Sequence, residues 1–395
     1  MDVFEKIQNL VGGGMVFGTE RTRALLDKLG SPDDGLKIVH IAGTNGKGSI
    51  ARFLTEILIA AGKRVGTFTS PAVIDYFEQF MIDGKPINSD VLSKYFTLAY
   101  QNGLDCTSFE VQTAGALYAF SKEGCEYAVV ECGLGGLTDS TNAIRKKELA
   151  VISSIGLEHT QILGSTITEI CEQKAGIIKN CPVVVNAYQT KEAREFFEGK
   201  GVIFADKRIE VFESSPFEQR FLYDGVAYSI RLMGRAQRCN AATAIEAAKL
   251  LGIAVKDIQA GLKKAFLPGR LQFIEAKGNT YIVDGAHNPA CFNELALALK
   301  ELGKKDVTMI FGCLSDKDID ANLRSLDGLI SRVIAVKPES VRAMDIDKIS
   351  ATCNKYFDTV VEDSVSRALE KSVGMVVVCG SFTLVKEALH WIEKE

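Results

Sequence analysis

The sequence lacks the features that direct a protein to nucleic acid, to a membrane or out of the cell. Its formal net charge is only −4, so there is no general basic field to attract nucleic acid or anionic lipid. No apolar stretch reaches the roughly 18–20 residues that span a bilayer. The first six residues, MDVFEK, lack the basic and apolar regions of a secretory signal. We therefore expect a cytoplasmic protein with neither a nucleic-acid nor a membrane partner.

Proline is scarce, with 8 residues, and the ten cysteines include no CxxC pair. Cys132 and Cys379 lie in apolar, strand-like runs, and Cys171 and Cys239 lie in helix-like ones. Buried free thiols in a reducing cytosol have this distribution. We therefore expect no structural disulfide. The sequence also shows no internal repeat and no low-complexity tract.

The length of the chain predicts two domains, because 395 residues exceed the size at which one hydrophobic core stops growing. Short apolar runs alternate with amphipathic stretches from Lys37 onward, which is typical of a parallel sheet covered by helices. A second α/β series begins near Thr280. The helical pattern is interrupted between the two series at Pro268-Gly269. We predict an N-terminal domain at 1–269, a linker at 270–279 and a C-terminal domain at 280–395.

The predicted elements follow from hydrophobic periodicity. The strands of the first series are 38–42, 65–69, 128–131, 149–155, 183–186 and 202–204, and those of the second are 281–284, 308–311, 333–336, 359–361 and 375–379. The helices are 49–61, 110–122, 167–179, 237–251, 289–302 and 381–395. Residues 209–232 alternate as a small antiparallel patch or hairpin does.

The strongest local signal is residues 40–49, HIAGTNGKGS, where an apolar strand runs into a glycine-rich turn and then a helix. Such a turn lets backbone N–H groups close around phosphate oxygens, and Lys47 would reach the terminal phosphates. The spacing, GxxGKGS, is shorter than that of a strict Walker A motif. The alternative is a glycine-rich strand-to-helix turn without a ligand.

Carboxylate and histidine side chains follow other predicted strands and suggest magnesium or nucleotide ligands. Glu131 closes one apolar run, and Glu158 and His159 follow the next. In the second series, Asp284 and His287 stand between a strand and a helix. Each has a structural alternative: an ion-paired or capping Glu131, a structural His159, and an Asp284 that only caps the following helix.

Taken together, these segments resemble the Mur ligase superfamily, and in particular its folylpolyglutamate synthase/dihydrofolate synthase family. The match is collinear over almost the whole chain. It comprises 18–21 (GTER), 29–32 (LGSP), 40–49, 69–71 (TSP), 109–110 (FE), 131–136 (ECGLGG), 154–160 (SIGLEHT), 163–164 (LG), 173–177 (QKAGI), 240–242 (NAA), 268–270 (PGR), 284–289 (DGAHNP), 311–312 (FG), 316–318 (DKD) and 380–382 (GSF).

The resemblance implies an α/β fold: a P-loop ATPase-like N-terminal domain with a mostly parallel sheet, and a smaller Rossmann-like C-terminal domain. Its active site would lie between the two. The implied cofactors are ATP and two Mg²⁺ ions, and the implied partners are small molecules, a folate- or dihydropteroate-like acid and L-glutamate. Relatives with this layout are commonly monomers, so we expect a monomer.

The resemblance also assigns site residues, grouped here by role. The ATP-binding residues would be Thr44, Asn45, Gly46, Lys47, Gly48, Ser49, Asn240, Arg270 and Asp284. Ser70, Glu131 and His159 would be the metal ligands. Lys47, Lys174 and His287 would be catalytic, with Lys174 matching a lysine that relatives carbamylate. Thr19, Glu110, Thr138 and Asp139 would contact the acid substrate.

The sequence departs from the family pattern at several positions, most of them on the folate side. Ala72 stands where the family has histidine, Gln79 and Leu137 stand where it has arginine, Ala236 replaces a frequent histidine, and Gln173 replaces the glutamate before the lysine. We expect an ATP-dependent acid–amino acid ligase that works through an acyl phosphate, most simply a folylpolyglutamate synthase with dihydrofolate synthase activity. The alternatives are a diverged ligase for another acid and amine, and a P-loop regulatory module.

Overall fold

The structure is a computed structural model that describes residues 2–10, 16–303 and 306–394. It divides into two compact units. Unit 1 comprises Met1–Glu210, Phe221–Ile230 and Cys239–Ala265, and unit 2 comprises Val211–Arg220, Arg231–Arg238 and Phe266–Glu395. The last passage of the chain into unit 2 is close to the Pro268-Gly269 interruption.

Unit 1 is built around one large sheet. Its strands are β1 (Lys37–Ala42), β2 (Val65–Phe68), β3 (Phe80–Ile82), β4 (Lys85–Pro86), β5 (Tyr127–Glu131), β6 (Leu149–Ile152), β7 (Val183–Asn186) and β8 (Ile203–Ala205). Its helices are α1 (Val3–Gln8), α2 (Glu20–Lys28), α3 (Lys47–Ala60), α4 (Ser89–Asn102), α5 (Ser108–Lys122), α6 (Thr160–Leu163), α7 (Ile167–Ala175) and α8 (Lys191–Phe197).

The strand order of this sheet is β4-β3-β2-β5-β1-β6-β7-β8. The six strands from β2 to β8 in that order are parallel, with β1 paired to β5 on one side and to β6 on the other. The carboxyl ends of β5, β1 and β6 therefore meet at one edge of the sheet, where ligands bind in open α/β sheets. The parallel sheet predicted from the apolar runs is confirmed.

Two short strands at the edge of this sheet were not predicted. β3 pairs antiparallel with β2, and β4 pairs antiparallel with β3. They contain three and two residues, too few to show alternation. Proline at the end of β4 is compatible with an edge strand, where one backbone donor is not needed.

Segment 209–232 forms a separate sheet of β9 (Ile209–Ser214), β10 (Gln219–Tyr223) and β11 (Val226–Ile230) in the order β11-β10-β9. Asp224 and Gly225 join β10 to β11 with φ values of 54° and 74°. Two consecutive residues at positive φ are the signature of a two-residue hairpin turn. The predicted hairpin is thus confirmed. α9 (Arg235–Leu250) and α10 (Val255–Lys264) follow.

Unit 2 contains a six-stranded sheet of order β12-β13-β17-β14-β15-β16. The strands are β12 (Gln272–Ala276), β13 (Asn279–Val283), β14 (Val307–Phe311), β15 (Ile330–Ala335), β16 (Asp358–Val361) and β17 (Met375–Cys379). The helices are α11 (Pro289–Glu301), α12 (Ile319–Leu323), α13 (Ile346–Cys353), α14 (Val365–Glu370) and α15 (Phe382–Glu393). Apart from β12, which is antiparallel to β13, the strands are parallel.

Half of the segment predicted as a linker, 270–279, is strand β12, and its last residue, Asn279, begins β13. The two residues between β12 and β13, Lys277 and Gly278, have φ values of 53° and 75° and close a tight hairpin. The Pro268-Gly269 turn therefore precedes the first strand of the second sheet.

Helix α7 ends four residues earlier than predicted. It ends at Ala175, and the next residue, Gly176, lies directly against Leu137, where a Cβ on residue 176 would overlap the Leu137 backbone. Among the described residues, no helix is both long and apolar enough to cross a membrane. The ten cysteines, all of which are described, form no disulfide.

Candidate functional site

The glycine-rich turn of unit 1 leaves the central strand β1 and enters α3. Gly43 and Gly46 have φ values of 147° and 92°, which L side chains rarely adopt. The amides of Thr44 and Asn45 donate to the Ser154 carbonyl at 2.8 and 3.3 Å, and Ser154 Oγ donates to the Asn45 carbonyl at 3.0 Å. The first half of the turn is thus fixed to the end of β6.

The hydroxyl of Thr44 is also used inside the fold, since it lies 3.1 Å from both the carbonyl and the amide of Gly156. Gly48 and Ser49 lie in the first turn of α3. Gly46 precedes that helix and has no side chain with which to cap it. The N–H groups at the start of α3 therefore form the part of the turn best suited to bind an anion.

Asn240, in α9, lies against this turn. A Cβ on Gly46 would come within 2.6 Å of Asn240 Oδ1, so only glycine allows the approach. Asn186, at the end of β7, orients the amide by donating to Asn240 Oδ1 at 3.0 Å. Two predicted nucleotide-binding residues, Gly46 and Asn240, are therefore brought together.

Lys47 folds back over its own turn. Its Nζ donates to the carbonyls of Gly43 and Thr44 at 3.1 and 3.2 Å and lies 3.9 Å from Glu131 Oε1. Glu131 is the last residue of β5, and Ser70 follows the neighbouring strand β2. The Lys47 ammonium group thus forms an ion pair with the Glu131 carboxylate.

A small cavity next to the turn is lined by Lys47, Lys174, Glu158, His159 and the loop 133–135. His159 precedes α6 with a φ of 50°. Three predicted site residues, Lys47, His159 and Lys174, therefore share one cavity.

Lys174 is buried near the end of α7 and donates to the Gly43 carbonyl at 2.8 Å. Burial lowers its pKa to about 7, and the positive charge of Lys47 acts in the same direction while Glu158 opposes it. A buried amine with this pKa is neutral in a substantial fraction of molecules at pH 7 and becomes largely neutral above it. A neutral amine is a nucleophile, whereas an ammonium group is not.

The oxygen atoms of Glu131 and Ser70 suit a magnesium ion that keeps part of its water shell. Among the described residues, no three His, Cys, Asp or Glu side chains cluster as a complete protein cage. Mg²⁺ is commonly held by one or two carboxylates together with water and substrate phosphates. Glu131, beside the cation of Lys47, offers such a carboxylate, and Ser70 offers a hydroxyl on the adjacent strand end.

The four predicted substrate-binding residues lie around the start of α2. Thr19 precedes that helix, and the neighbouring Gly18 amide donates to the Thr138 carbonyl at 3.3 Å. Glu110 is buried, and its carboxylate accepts from Arg21 at 2.9 and 3.2 Å and from the Thr107 amide at 2.7 Å. Glu110 is therefore already engaged by the fold.

Asp139 is likewise engaged. Its carboxylate accepts from the amides of Leu134 and Thr141 at 2.8 and 2.9 Å and from the Thr141 hydroxyl. Burial raises its pKa, although these hydrogen bonds oppose that shift. Through Leu134, Asp139 holds the loop that lines the cavity.

The predicted site residues of unit 2 gather around Phe382. The Arg270 guanidinium lies 4.7 Å from the Phe382 ring centroid, and the His287 ring lies 5.7 Å from it. Asp284 accepts from the amides of Leu271 and Ala286, both at 2.7 Å. Burial raises the pKa of Asp284, and the nearby charge of Arg270 opposes this. The three predicted residues are thus neighbours within the unit.

Sequence reasoning assigned no role to Ser154, Gly156 or Asn186, which frame the glycine-rich turn. The positions of Ser154 and Asn186 at the carboxyl ends of parallel strands could have drawn attention to them. Buried His40 in β1 was also missed. Its Nε2 lies 2.7 Å from Thr141 Oγ1 and 3.1 Å from Cys132 Sγ.

Two family models match most of the chain. The Mur ligase middle domain matches residues 41–248, and the Mur ligase glutamate ligase domain matches residues 269–382. The dihydrofolate synthase/folylpolyglutamate synthase of Bacillus subtilis (strain 168) is 31% identical, with 97% of this chain and 98% of the relative covered.

Two solved structures extend the match to the fold. Escherichia coli FolC in complex with DHPP and ADP has a TM-score of 0.87 at 28% identity, covering 99% of this chain and 96% of the other. The Yersinia pestis bifunctional folylpolyglutamate synthase/dihydrofolate synthase with AMPPNP and Mn ion has a TM-score of 0.83 at 27% identity, covering 98% and 96%. The chain therefore belongs to the folylpolyglutamate synthase/dihydrofolate synthase family, which is built from Mur ligase domains.

Proposed function

We propose that the protein is an ATP-dependent ligase that joins the carboxylate of a folate-type acid to the amine of L-glutamate. The observation that carries this proposal is the cavity where Lys47, Lys174 and His159 meet beside the glycine-rich turn and Glu131. Family membership supports the choice of substrates, since the B. subtilis relative bears the names of both folate activities. Dihydrofolate synthase activity is part of the proposal.

The reaction needs activation of the acid. A carboxylate repels an incoming electron pair and has no good leaving group, so an amine does not attack it directly. Transfer of the γ-phosphoryl group of ATP to a carboxylate oxygen forms an acyl phosphate and releases ADP. The neutral amine then attacks the carbonyl carbon, the C–O bond to phosphate breaks, and the amide and inorganic phosphate remain.

The phosphates of ATP would bind at the start of α3. Because the amides of Thr44 and Asn45 already donate to Ser154, we assign phosphate contact chiefly to the amides of residues 46–49. Lys47 would swing from the Gly43 and Thr44 carbonyls to the terminal phosphate, where a fixed positive charge stabilises the developing negative charge. Asn240, Arg270 and Asp284 remain our candidates for the rest of the nucleotide.

Ser70, Glu131 and His159 would hold Mg²⁺, with Ser70 and Glu131 at one ion and His159 at the other. When bound, the ions neutralise charge on the phosphates and on the transferring group. The movement of Lys47 away from Glu131 would leave that carboxylate available for a metal.

We also propose that Lys174 is carbamylated in the active enzyme. Its pKa of about 7 leaves a neutral Nζ that adds to carbon dioxide, forming an N–C bond and releasing one proton. The product is a carboxylate-like group in the cavity that contains His159. Electron density beyond Nζ in a crystal grown with bicarbonate tests this assignment, and density that stops at Nζ contradicts it.

A second candidate is a ligase of the same chemistry that accepts a different acid. Leu137, which stands where the family has arginine, is 49% exposed beside the proposed substrate residues Thr138 and Asp139. An apolar side chain there offers no charge to an anionic substrate. His287 and Thr19 remain candidates for positioning the amino acid and the acid, respectively.

A substrate panel separates the two candidates. ADP release is measured with dihydropteroate, tetrahydrofolate or methylenetetrahydrofolate, each with and without L-glutamate. The folate assignment predicts release over many turnovers only when both an acid and glutamate are present, because glutamate is needed to consume the acyl phosphate. The absence of release with all three acids would contradict it, and the panel would then be widened to other carboxylates.

A further inference from the structure

A buried polar cluster with no role in the proposed chemistry contacts the segments next to the cavity walls. The turn Ser140–Ala143 carries Asn142, and Lys147 follows it just before β6. Asn142 and Lys147 are only 3% and 4% exposed. Burying a lysine is unfavourable unless its ammonium group is hydrogen-bonded, so the contacts of this pair are informative.

Lys147 fixes the orientation of the Asn142 side chain. Its Nζ donates to Asn142 Oδ1 at 2.7 Å and to the Ile177 carbonyl at 2.6 Å. The Leu137 and Gly176 carbonyls can only accept hydrogen bonds, so the amide nitrogen of Asn142 must face them and the amide oxygen must face Lys147.

The amide nitrogen then bridges two segments. Asn142 Nδ2 donates to the Leu137 carbonyl at 3.0 Å and to the Gly176 carbonyl at 3.1 Å. Leu137 lies two residues beyond the loop 133–135 that lines the cavity, and Gly176 follows the helix that carries Lys174. One side chain thus joins two walls of the cavity.

The two walls are packed too closely to move independently. The Leu137 amide donates to the Gln173 carbonyl at 2.7 Å. A Cβ on Gly136 would lie 2.8 Å from the Gln173 carbonyl and 2.9 Å from that of Lys174. A shift of the loop is therefore transmitted directly to the backbone of Lys174.

We propose that Asn142, oriented by Lys147, is a positioning residue that sets the spacing between Lys174 and the loop 133–135. This inference rests on the proposed function, because it assumes that both walls serve the ligase reaction. Neither Asn142 nor Lys147 lines the cavity. Their effect is exerted through the backbone at Leu137 and Gly176.

The test is Asn142→Asp, which keeps the shape of the side chain and the acceptor for Lys147 but removes both donors. We expect kcat to fall between about tenfold and a hundredfold, since small misplacements in an active site have effects of that size. The KM for ATP should stay within about twofold, because the start of α3 is untouched. Amide hydrogen exchange should become faster in segments 133–137 and 173–177 and remain unchanged elsewhere.

Matched controls separate positioning from general destabilisation. Asn354→Asp makes the same chemical change at an exposed position and should alter neither kcat nor exchange. Lys147→Met removes the group that orients Asn142 and should accelerate exchange in the same two segments, whereas Lys146→Met, at the exposed neighbour, should not. If Asn142→Asp does not fold, the exchange of the same two segments in Lys147→Met tests the proposal instead.

Unchanged exchange in segments 133–137 and 173–177 would overturn the proposal, and so would faster exchange spread over the whole of unit 1. If the wild type released no ADP with any acid and amine, the proposed function would fail. The exchange measurements would still decide whether Asn142 holds the two segments together.

Discussion

Each unit of the molecule contains a strand that enters a helix through a turn with glycine, and the two turns are completed differently. In unit 1, Gly46 precedes α3 and contributes no side-chain cap. In unit 2, Asn288 precedes α11, and its side chain accepts from the Cys291 amide at 3.0 Å. Asp284 in that same turn accepts from two backbone amides.

This difference shows why the first turn suits phosphate and the second does not. A helix start presents backbone N–H groups that need an acceptor, either from a side chain or from a ligand. The second turn supplies its own acceptors. The first turn supplies no side-chain acceptor, so its N–H groups are available to a ligand anion, and the nearby Lys47 adds positive charge. Similar local patterns therefore predict different sites once the capping residue is considered.

The largest effect should come from Lys47→Met. Loss of the charge that stabilises the transferring phosphoryl group should lower kcat by about 10²–10³-fold or more. Lys300→Met, at an exposed position in the last turn of α11, should change kcat less than twofold. The kcat of both variants is measured from ADP release at saturating substrate concentrations. A Lys47→Met enzyme whose kcat is within tenfold of the wild-type value would contradict the role of the first turn.

Gly46→Ala should have the next largest effect. The new Cβ meets Asn240 Oδ1 at 2.6 Å in a backbone conformation that disfavours alanine. We expect the KM for ATP to rise more than tenfold and stability to fall by about 1–2 kcal/mol. Gly62→Ala is the control, because Gly62 follows α3 at a φ of 74° with nothing within 4 Å of its Cβ position. Gly62→Ala should lower stability without changing the KM for ATP. Equal KM values for ATP in the two variants would refute the role of Gly46 in nucleotide binding.

A pH titration of stability should identify the buried lysine Lys147. Burial lowers its pKa to about 7, whereas it titrates near 10.5 when unfolded. Between these values the unfolded chain binds a proton that the folded chain does not, so the free energy of unfolding rises with pH. The contribution is greatest above pH 10.5 and is lost as the pH falls through about 7.

This contribution has an upper limit of roughly 5 kcal/mol, from 1.36 kcal/mol per pKa unit. Denaturant titrations at several pH values give the free energy of unfolding of the wild type and of Lys147→Met, and the difference between the two isolates the contribution of Lys147. A difference that stays constant from pH 7 to 10 would contradict the assigned pKa.

The smallest effect is expected for Asn288→Ala. Removal of the cap of α11 should lower stability by about 1 kcal/mol, while kcat and the KM for ATP should change less than twofold. Thermal unfolding and steady-state kinetics check the two parts. A large rise in the KM for ATP would show that the second turn binds the phosphates after all.

The first turn could be predicted from the sequence because its signal is local. Strand, glycines, lysine and helix follow one another within residues 40–49, and Glu131 and His159 follow strands that can be recognised by their apolar runs. The parallel sheet then brings these strand ends to one edge. Hairpin β12-β13 also has a local signal, Lys277-Gly278, within the segment that the sequence predicts as a linker.

The contacts that orient the site could not be predicted in this way. Arg21 and Glu110 are 89 positions apart, Lys174 and Gly43 are 131 apart, and Lys147 and Ile177 are 30 apart. Such pairs depend on how helices and loops pack over the sheet, and the hydrophobic periodicity of the sequence does not predict them. The family resemblance assigns Glu110 and Asp139 to the substrate, but it does not reveal that both carboxylates also accept hydrogen bonds inside the fold.

The central claim is that a carboxylate oxygen of the acid receives the γ-phosphoryl group. It is tested most directly by supplying the acid with ¹⁸O in its carboxylate, together with ATP and L-glutamate, and analysing the released phosphate by mass spectrometry. Passage through an acyl phosphate predicts one ¹⁸O atom in each phosphate, in step with amide formation. Unlabelled phosphate released alongside labelled amide would contradict it.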